Sequence, residues 1–326
     1  LLIVVDQNIP FLKGELEPFA RVIYAQPECI TRELVRDADA LIIRTRTQCD
    51  ASLLEGSSVR FIATATIGYD HIDTNYCASH GIYWTACPGC NAQAVCDYVE
   101  EALLHFMQHF HHVATSLRLG IVGVGHVGKR VQQMALRNGM SVVLYDPIRA
   151  EEEHDTTLLG DVTTCDVISF HTPLTHTGAY PTYHICDAEF LSHCQENALI
   201  INAARGGIVD EEALLKSQHP CIIDCWENEP LLNKQLLYSS HTLLASYHIA
   251  GYSLEGKRNA SYMCMDALCH YFYPALDMNQ VKANMETRLQ TMPKGDNQRG
   301  WLQRITEQLR QSPDEFEQLR KKYTLR

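Results

Sequence analysis

"RLGIVGVGHVGKR", residues 118–130, carries three glycines at the spacing Gly123-x-Gly125-x-x-Gly128. An apolar, strand-like run precedes them, and the following "KRVQQMALRNG" is helical in pattern. The next apolar run, "MSVVLYD", ends on Asp146, 18 residues beyond Gly128. Strand, glycine turn, helix, strand and terminal acid in that order describe a dinucleotide-binding unit. The glycines permit a tight turn and close backbone approach to a pyrophosphate seated on the helix N-terminus. A carboxylate at position 146 accepts ribose hydroxyls and repels a 2′-phosphate, which favours NAD over NADP. Arg149 lies close enough in sequence to oppose that preference.

Four further apolar runs continue the same series: "CDVISFHT", "NALIINAARGG", "CIIDCWE" and "HTLLASYHIAG". With the first two they make six strands at doubly wound spacing, a parallel α/β architecture. An earlier series, "LLIVVDQNIP", "ADALIIRTRT" and "VRFIATATIGYDHID", repeats the form of apolar strand and polar loop. Between the two series, residues 92 to about 114 read as a long helix with Val95, Val99, Ala102, Leu103 and Phe106 on one face. After about Met265 the chain turns rich in Gln, Lys and Arg, which suggests a small appended region.

A length of 326 residues is too great for one small core. The net charge of −12 argues against nucleic acid or an anionic membrane as partner. It leaves room for an anionic substrate in a local basic pocket. No apolar run approaches the roughly 20 residues of a spanning helix. No secretory signal is visible, and Leu1 is not an initiator Met. The 13 cysteines include a lone "CPGC" at Cys87–Cys90 and no paired metal-ligand spacing. They read as reduced structural thiols of a cytoplasmic protein. His105, His109, His111 and His112 cluster on the long helix without acidic or Cys partners, so no metal site is expected.

In parallel sheets, polar residues just past the strands' carboxyl ends line the ligand crevice. Arg205, Glu229 and His248 each follow a strand of the second series, on the edge that also holds the glycine turn. An Arg, a carboxylate and a His beside a nicotinamide suit oxidation of a 2-hydroxy acid. The Arg fixes the substrate carboxylate, the His takes the hydroxyl proton, and the acid orients the imidazole. In "DCWENEP" (residues 224–230), Glu229 is that acid, and Glu227 is expected to face water.

The segments "ATATIGYDHID", "CPGCNAQAVCDYV", "GIVGVGHVG", "FHTPLTHTGAYPTYH", "INAARGGIVD", "DCWENEP" and "SYHIAGYSLEGK" resemble the D-isomer-specific 2-hydroxyacid dehydrogenases, over roughly residues 1–265. "PGCNA" and "HIAGYSLEGK" point to the phosphoerythronate branch. The resemblance implies NAD-dependent oxidation of 4-phospho-D-erythronate to 2-oxo-3-hydroxy-4-phosphobutanoate, in vitamin B6 biosynthesis. The alternatives are a dehydrogenase of the phosphoglycerate or glyoxylate type and a non-catalytic NAD-sensing corepressor-like protein.

The resemblance also implies the site. Arg205, Glu229 and His248 are the catalytic set. Gly123, Gly125, His126, Val127, Gly128, Asp146, Thr172, Ala203, Asp224 and Gly251 hold cofactor, with Asp224 towards the nicotinamide. Thr66, Ile67, Gly68 and Tyr252 hold substrate. Read from their positions past the strands and past His248, Arg44, Thr45, Arg46 and Lys257 are the further substrate candidates, with Arg46 turned to solvent and only Arg44 on the ligand as the alternative. Thr45 stands where relatives often carry Ser, and Arg46 where an apolar residue is common. If the strand before them stays extended, Arg44 and Arg46 share one face and serve the phosphate.

The implied architecture has two Rossmann-like domains: a flavodoxin-like lid (1–92 with 249–265) and a dinucleotide-binding domain (93–248). A small α+β dimerisation region (266–326) completes a homodimer. The "QLRKKY" run in that region is read as a solvated helix face or as a source of charge for the active site.

Overall fold

In the computed structural model, which describes residues 1–275 and 277–326, the chain forms two compact units. One comprises Leu1–Asn91 and Ser253–Lys294, the other Ala92–Tyr252 and Gly295–Arg326.

The first unit is built on β1 (Leu2–Asp6), β2 (Arg21–Ala25), β3 (Ala40–Ile43), β4 (Phe61–Thr64) and β5 (Tyr83–Thr85). All pair in parallel, in the order β2-β1-β3-β4-β5, which is flavodoxin-like. The central β3 and β4 are four-residue runs buried throughout. Sequence reading finds β1, β3 and β4 and misses β2 and β5. The missed strands lie at the sheet edges and are half-exposed, so neither presents a continuous buried run.

The second unit holds β6 (Arg118–Val122), β7 (Ser141–Tyr145), β8 (Val167–Phe170), β9 (Leu199–Asn202), β10 (Cys221–Ile223) and β11 (Thr242–Ala245). These are the six strands expected from the second series, all parallel, in the order β11-β10-β9-β8-β6-β7. From β6 the chain goes to β7 on one side and to β8 on the other. The strand order therefore reverses beside β6, and this switch point is where doubly wound sheets bind ligands. The helix Ala92–Phe110 buries the face expected of it, Val95, Val99, Ala102, Leu103 and Phe106. It ends at Phe110, short of the expected Ala114.

The chain after 266 departs from expectation. It forms no third unit, and its described residues are helical with no strand, so the α+β module is corrected. The helix Leu254–Phe272 runs through position 266 without interruption, and Asn279–Thr291 packs on it within the first unit. The helix Trp301–Gln311 packs on β11, where the Thr306 hydroxyl accepts from Ala245 N and donates to Ala245 O, both at 2.9 Å. Trp301, Leu302, Leu309 and Phe316 enter the second unit's core. The polar composition reflects helices with one narrow apolar stripe rather than a separate module.

Among the described residues no helix is long and apolar enough to cross a membrane. All 13 cysteines are free thiols, mostly buried.

Candidate active site

The glycine turn sits at the carboxyl end of β6. Gly123 has φ +89°, and a Cβ there would lie 2.8 Å from the His171 carbonyl carbon. A Cβ on Gly128 would lie 2.1 Å from Gly123 O, so both positions require glycine. Gly125 has no such constraint and opens to solvent at the start of the helix His126–Arg137. That helix has no side-chain cap at its N-terminus. His126, Val127 and Gly128 therefore present backbone N–H groups at the positive end of the helix dipole. The Thr172 hydroxyl, beside this turn, is buried with no hydrogen-bond partner among the described residues. Free amides, an open glycine and an orphaned hydroxyl fit a dinucleotide.

Asp146 directly follows β7 and is tied to the glycine turn. Its Oδ2 accepts from Val124 N at 2.8 Å and its Oδ1 from Arg149 N at 3.1 Å. The Arg149 guanidinium donates to Val124 O and pairs with Glu153 at 2.6 Å. Its charge is thereby compensated, which removes the main objection to NAD preference.

β9, β10 and β11 are neighbours, so the residues that follow them share one edge. Glu229 and His248 meet there: His248 Nδ1 lies 2.8 Å from Glu229 Oε2 and 3.1 Å from Oε1. Trp226 N donates to Glu229 Oε1 at 2.9 Å, which fixes the carboxylate. His248 adopts φ +59°, a left-handed conformation, and its N–H donates to Asp224 O at 3.0 Å. Arg205 is exposed on the same edge, with Nη1 on Ala204 O at 2.8 Å. Asn202, which sequence reading missed, is buried and donates to both Arg205 O and Cys225 O, joining the two loops.

Asp224 is tied into the fold of the site. It is 1% exposed, and its oxygens accept from Ser246 Oγ (2.6 Å), Ile249 N (2.8 Å) and Ala250 N (3.0 Å). Its carboxylate clamps the loop that carries His248. Ser246 Oγ is also bonded to the buried Tyr98 hydroxyl at 2.9 Å, and Ser246 O accepts from Trp226 Nε1 at 2.9 Å. Ala203 is buried beside the Arg205 loop, and Gly251 sits in the turn closed by Tyr252 N on Ile249 O.

Glu227 does not simply face water. Its Oε1 lies 2.8 Å from His184 Nε2, and its N–H donates to Glu211 Oε1 at 2.7 Å. Glu211 is 5% exposed, and its carboxyl is pushed up to about 7. Burial is the main cause, and the Glu227 and Glu229 carboxylates add to it against the opposing Glu227 N–H. A carboxyl raised on folding binds its proton more tightly in the native state. Its contribution is therefore fully present below the ordinary value of 4.5 and is lost as pH rises through about 7. Glu211→Gln keeps the acceptor for Glu227 N–H and removes the charge. It should be more stable than wild type at pH 8 by up to about 3 kcal/mol, with only a small gap at pH 5. Urea unfolding of both proteins at the two pH values measures this, and an equal gap at both would refute the buried-proton account.

The first unit holds most of the expected substrate residues. Arg44 follows β3 and is bound by the buried Asp6 at the end of β1, Nε–Oδ2 2.8 Å and Nη2–Oδ1 3.2 Å. The extended conformation stops there. Thr45 and Arg46 lie in an exposed turn closed by Thr47 N on Arg44 O, so the shared-face expectation fails. Thr66 Oγ1 donates to Gly68 O at 2.9 Å and lies 2.7 Å from Thr64 Oγ1, which reaches His71 Nε2 at 2.9 Å. These bonds fix the Thr66–Ile67–Gly68 turn. Lys257 lies in the first turn of the helix Leu254–Phe272, within electrostatic reach of Cys90.

As for metals, Cys225, Glu229 and His248 bring ligand-type atoms within 4.8 Å of one another, and two of the three are the acid–imidazole pair itself.

A glycine turn at a switch point, with an acid-oriented histidine past the edge strand β11 of the same sheet, defines a nicotinamide-dependent dehydrogenase of hydroxy acids. The family model described as "D-isomer specific 2-hydroxyacid dehydrogenase, NAD binding domain" matches residues 100–250. The erythronate-4-phosphate dehydrogenase of Bacteroides fragilis is 41% identical, with 99% of this chain and 96% of the relative covered. That of Coxiella burnetii is 36% identical over 99% of this chain and 92% of its own. Among solved structures, the NAD+-bound 3-phosphoglycerate dehydrogenase of Entamoeba histolytica superposes with a TM-score of 0.65 at 25% identity. It covers 85% of this chain and 96% of that one. The chain belongs to the erythronate-4-phosphate dehydrogenases, a branch of the D-isomer-specific 2-hydroxyacid dehydrogenase family.

Proposed function

We propose that the chain oxidises 4-phospho-D-erythronate at carbon 2, giving 2-oxo-3-hydroxy-4-phosphobutanoate, with NAD as acceptor. The observation that carries the chemistry is the His248–Glu229 pair at 2.8 Å. Bound NAD supplies the hydride acceptor. His248 takes the proton of the 2-hydroxyl on Nε2, because Nδ1 is held by Glu229. The Glu229 carboxylate favours the imidazolium that results. Arg205 binds the substrate carboxylate bidentately and polarises the forming carbonyl. Turnover of the phosphorylated acid with NAD is the direct test. No turnover, with tight NAD binding retained, would favour the dinucleotide-sensing alternative instead.

The same reading includes cofactor choice. Wild type should prefer NAD, and Asp146→Ala should narrow its margin over NADP by roughly 10–150-fold, the worth of a hydrogen bond to a charged group. Comparing kcat/KM for both cofactors in both proteins measures it, and an unchanged ratio would remove Asp146 from the ribose site.

A homodimer in the cytoplasm belongs to this reading as well. Deleting the chain after Met265 would remove the core residues Trp301, Leu302 and Leu309, so light scattering on the full chain is the suitable measurement.

A further inference from the structure

In the first unit Arg44 already has a carboxylate partner in Asp6, and Arg46 is exposed in a turn. The second unit offers a further guanidinium, from a segment given no site residue so far. The helix Phe316–Lys322 buries Phe316 and Leu319, leaves Lys321 and Lys322 exposed, and turns Arg320 inward. Arg320 Nε donates to the Tyr252 hydroxyl at 2.9 Å, and its guanidinium carbon lies 5.5 Å from the Tyr252 ring centroid. Nη1 makes a long contact with Glu317 at 3.5 Å, and among the described residues Nη2 makes no hydrogen bond.

Tyr252 lies four residues beyond His248. Arg320 is also within electrostatic reach of Glu229 and of Cys225, the two residues grouped with His248. Burial works against its charge, but Tyr252, Glu229 and Glu317 outweigh it and raise the guanidinium above its ordinary range. The rest of the C-terminal segment packs on the His248 loop. Tyr323 meets Tyr247 and Tyr252 with ring centroids 6.1 and 6.4 Å apart, and Arg326 donates to Ala250 O at 2.8 Å.

We propose that Arg320 is a specificity-determining residue that, together with the Tyr252 hydroxyl, recognises the phosphate end of the substrate. This deepens the proposed function and rests on it. A phosphate dianion and a carboxylate on one small molecule call for two separate cations. Arg205 serves the carboxylate at the β9 edge, and Arg320 stands by Tyr252 with Nη2 left to donate to a phosphate oxygen beside the tyrosine hydroxyl. A lysine at this position would keep the charge and lose the planar fork, so the two substitutions separate charge from geometry.

The test compares wild type, Arg320→Gln and Arg320→Lys on 4-phosphoerythronate and on erythronate without the phosphate. Arg320→Gln should raise KM for the phosphorylated acid by about 10–150-fold. KM for erythronate and the affinity for NAD should stay at wild-type values. Arg320→Lys should fall between wild type and Gln. Equal losses on both acids would mean that Arg320 only holds Tyr252 in place, and unchanged kinetics would also overturn the proposal. Inorganic phosphate binding, measured calorimetrically on the NAD-loaded protein, separates this proposal from the substrate assignment. If wild type binds phosphate and Arg320→Gln does not, the anion site stands even where 4-phosphoerythronate is not turned over. Equal phosphate affinity in the two proteins would overturn it.

Discussion

Replacing His248 by Ala should lower kcat by about 10²–10⁴-fold, the worth of a positioned acid–base group. NAD affinity should remain at the wild-type value, because the glycine turn and Asp146 lie on the other side of the sheet's switch point. The imidazole is held by Glu229 on Nδ1, so its other nitrogen is the one available to the substrate hydroxyl. The backbone needs a control, since His248 sits at φ +59° and most residues resist that region. Asn enters it more readily, so His248→Asn removes the proton acceptor with less strain. Both variants should lose rate to a similar degree. If His248→Asn keeps wild-type kcat, the proton acceptor lies elsewhere. Glu229→Gln should show a smaller loss, because it retains a hydrogen-bond acceptor for Nδ1 but no longer stabilises the imidazolium.

Asp224→Ala should be the most destabilising single change at the site. It removes the acceptor of Ser246 Oγ, Ile249 N and Ala250 N, all in the interior. Unsatisfied buried donors of this kind should cost about 3–5 kcal/mol in all. For a unit of this size that is a fall in Tm of about 10 °C, which calorimetry resolves. The rate should fall too, because Asp224 O and the carboxylate together place His248. Asp224→Asn retains one acceptor oxygen but turns an N–H₂ towards a backbone N–H, so it should recover only part of the loss. A wild-type Tm in the Ala variant would mean that the His248 loop is held by other contacts.

The phosphate prediction drawn from sequence shows where one-dimensional reading stops. Arg44 and Arg46 share a face only if the strand continues, and it ends at Ile43. Asp6 is 38 residues away in sequence and captures Arg44 through the pairing of β1 with β3. Arg320 was visible only as part of a basic run. Its inward orientation depends on Phe316 and Leu319 being buried, and no local signal in "QLRKKY" sets it apart from Lys321 or Lys322.

Sequence alone determined the two parallel sheets' central strands, the glycine turn and the place of Asp146. Those features are encoded locally: buried parallel strands are continuous apolar runs, and the turn demands glycine at positions where no Cβ fits. Only the tertiary structure decided what each carboxylate of "DCWENEP" does. Asp224, Glu227 and Glu229 stand within six residues of one another, yet one clamps backbone amides, one pairs with His184 and one holds His248. Their partners come from different loops brought to one sheet edge. The same holds for the C-terminal segment, whose polar composition suggested a separate module. Its helices divide between the two units because each carries a narrow apolar stripe that gains more from covering an existing core than from forming a small one of its own.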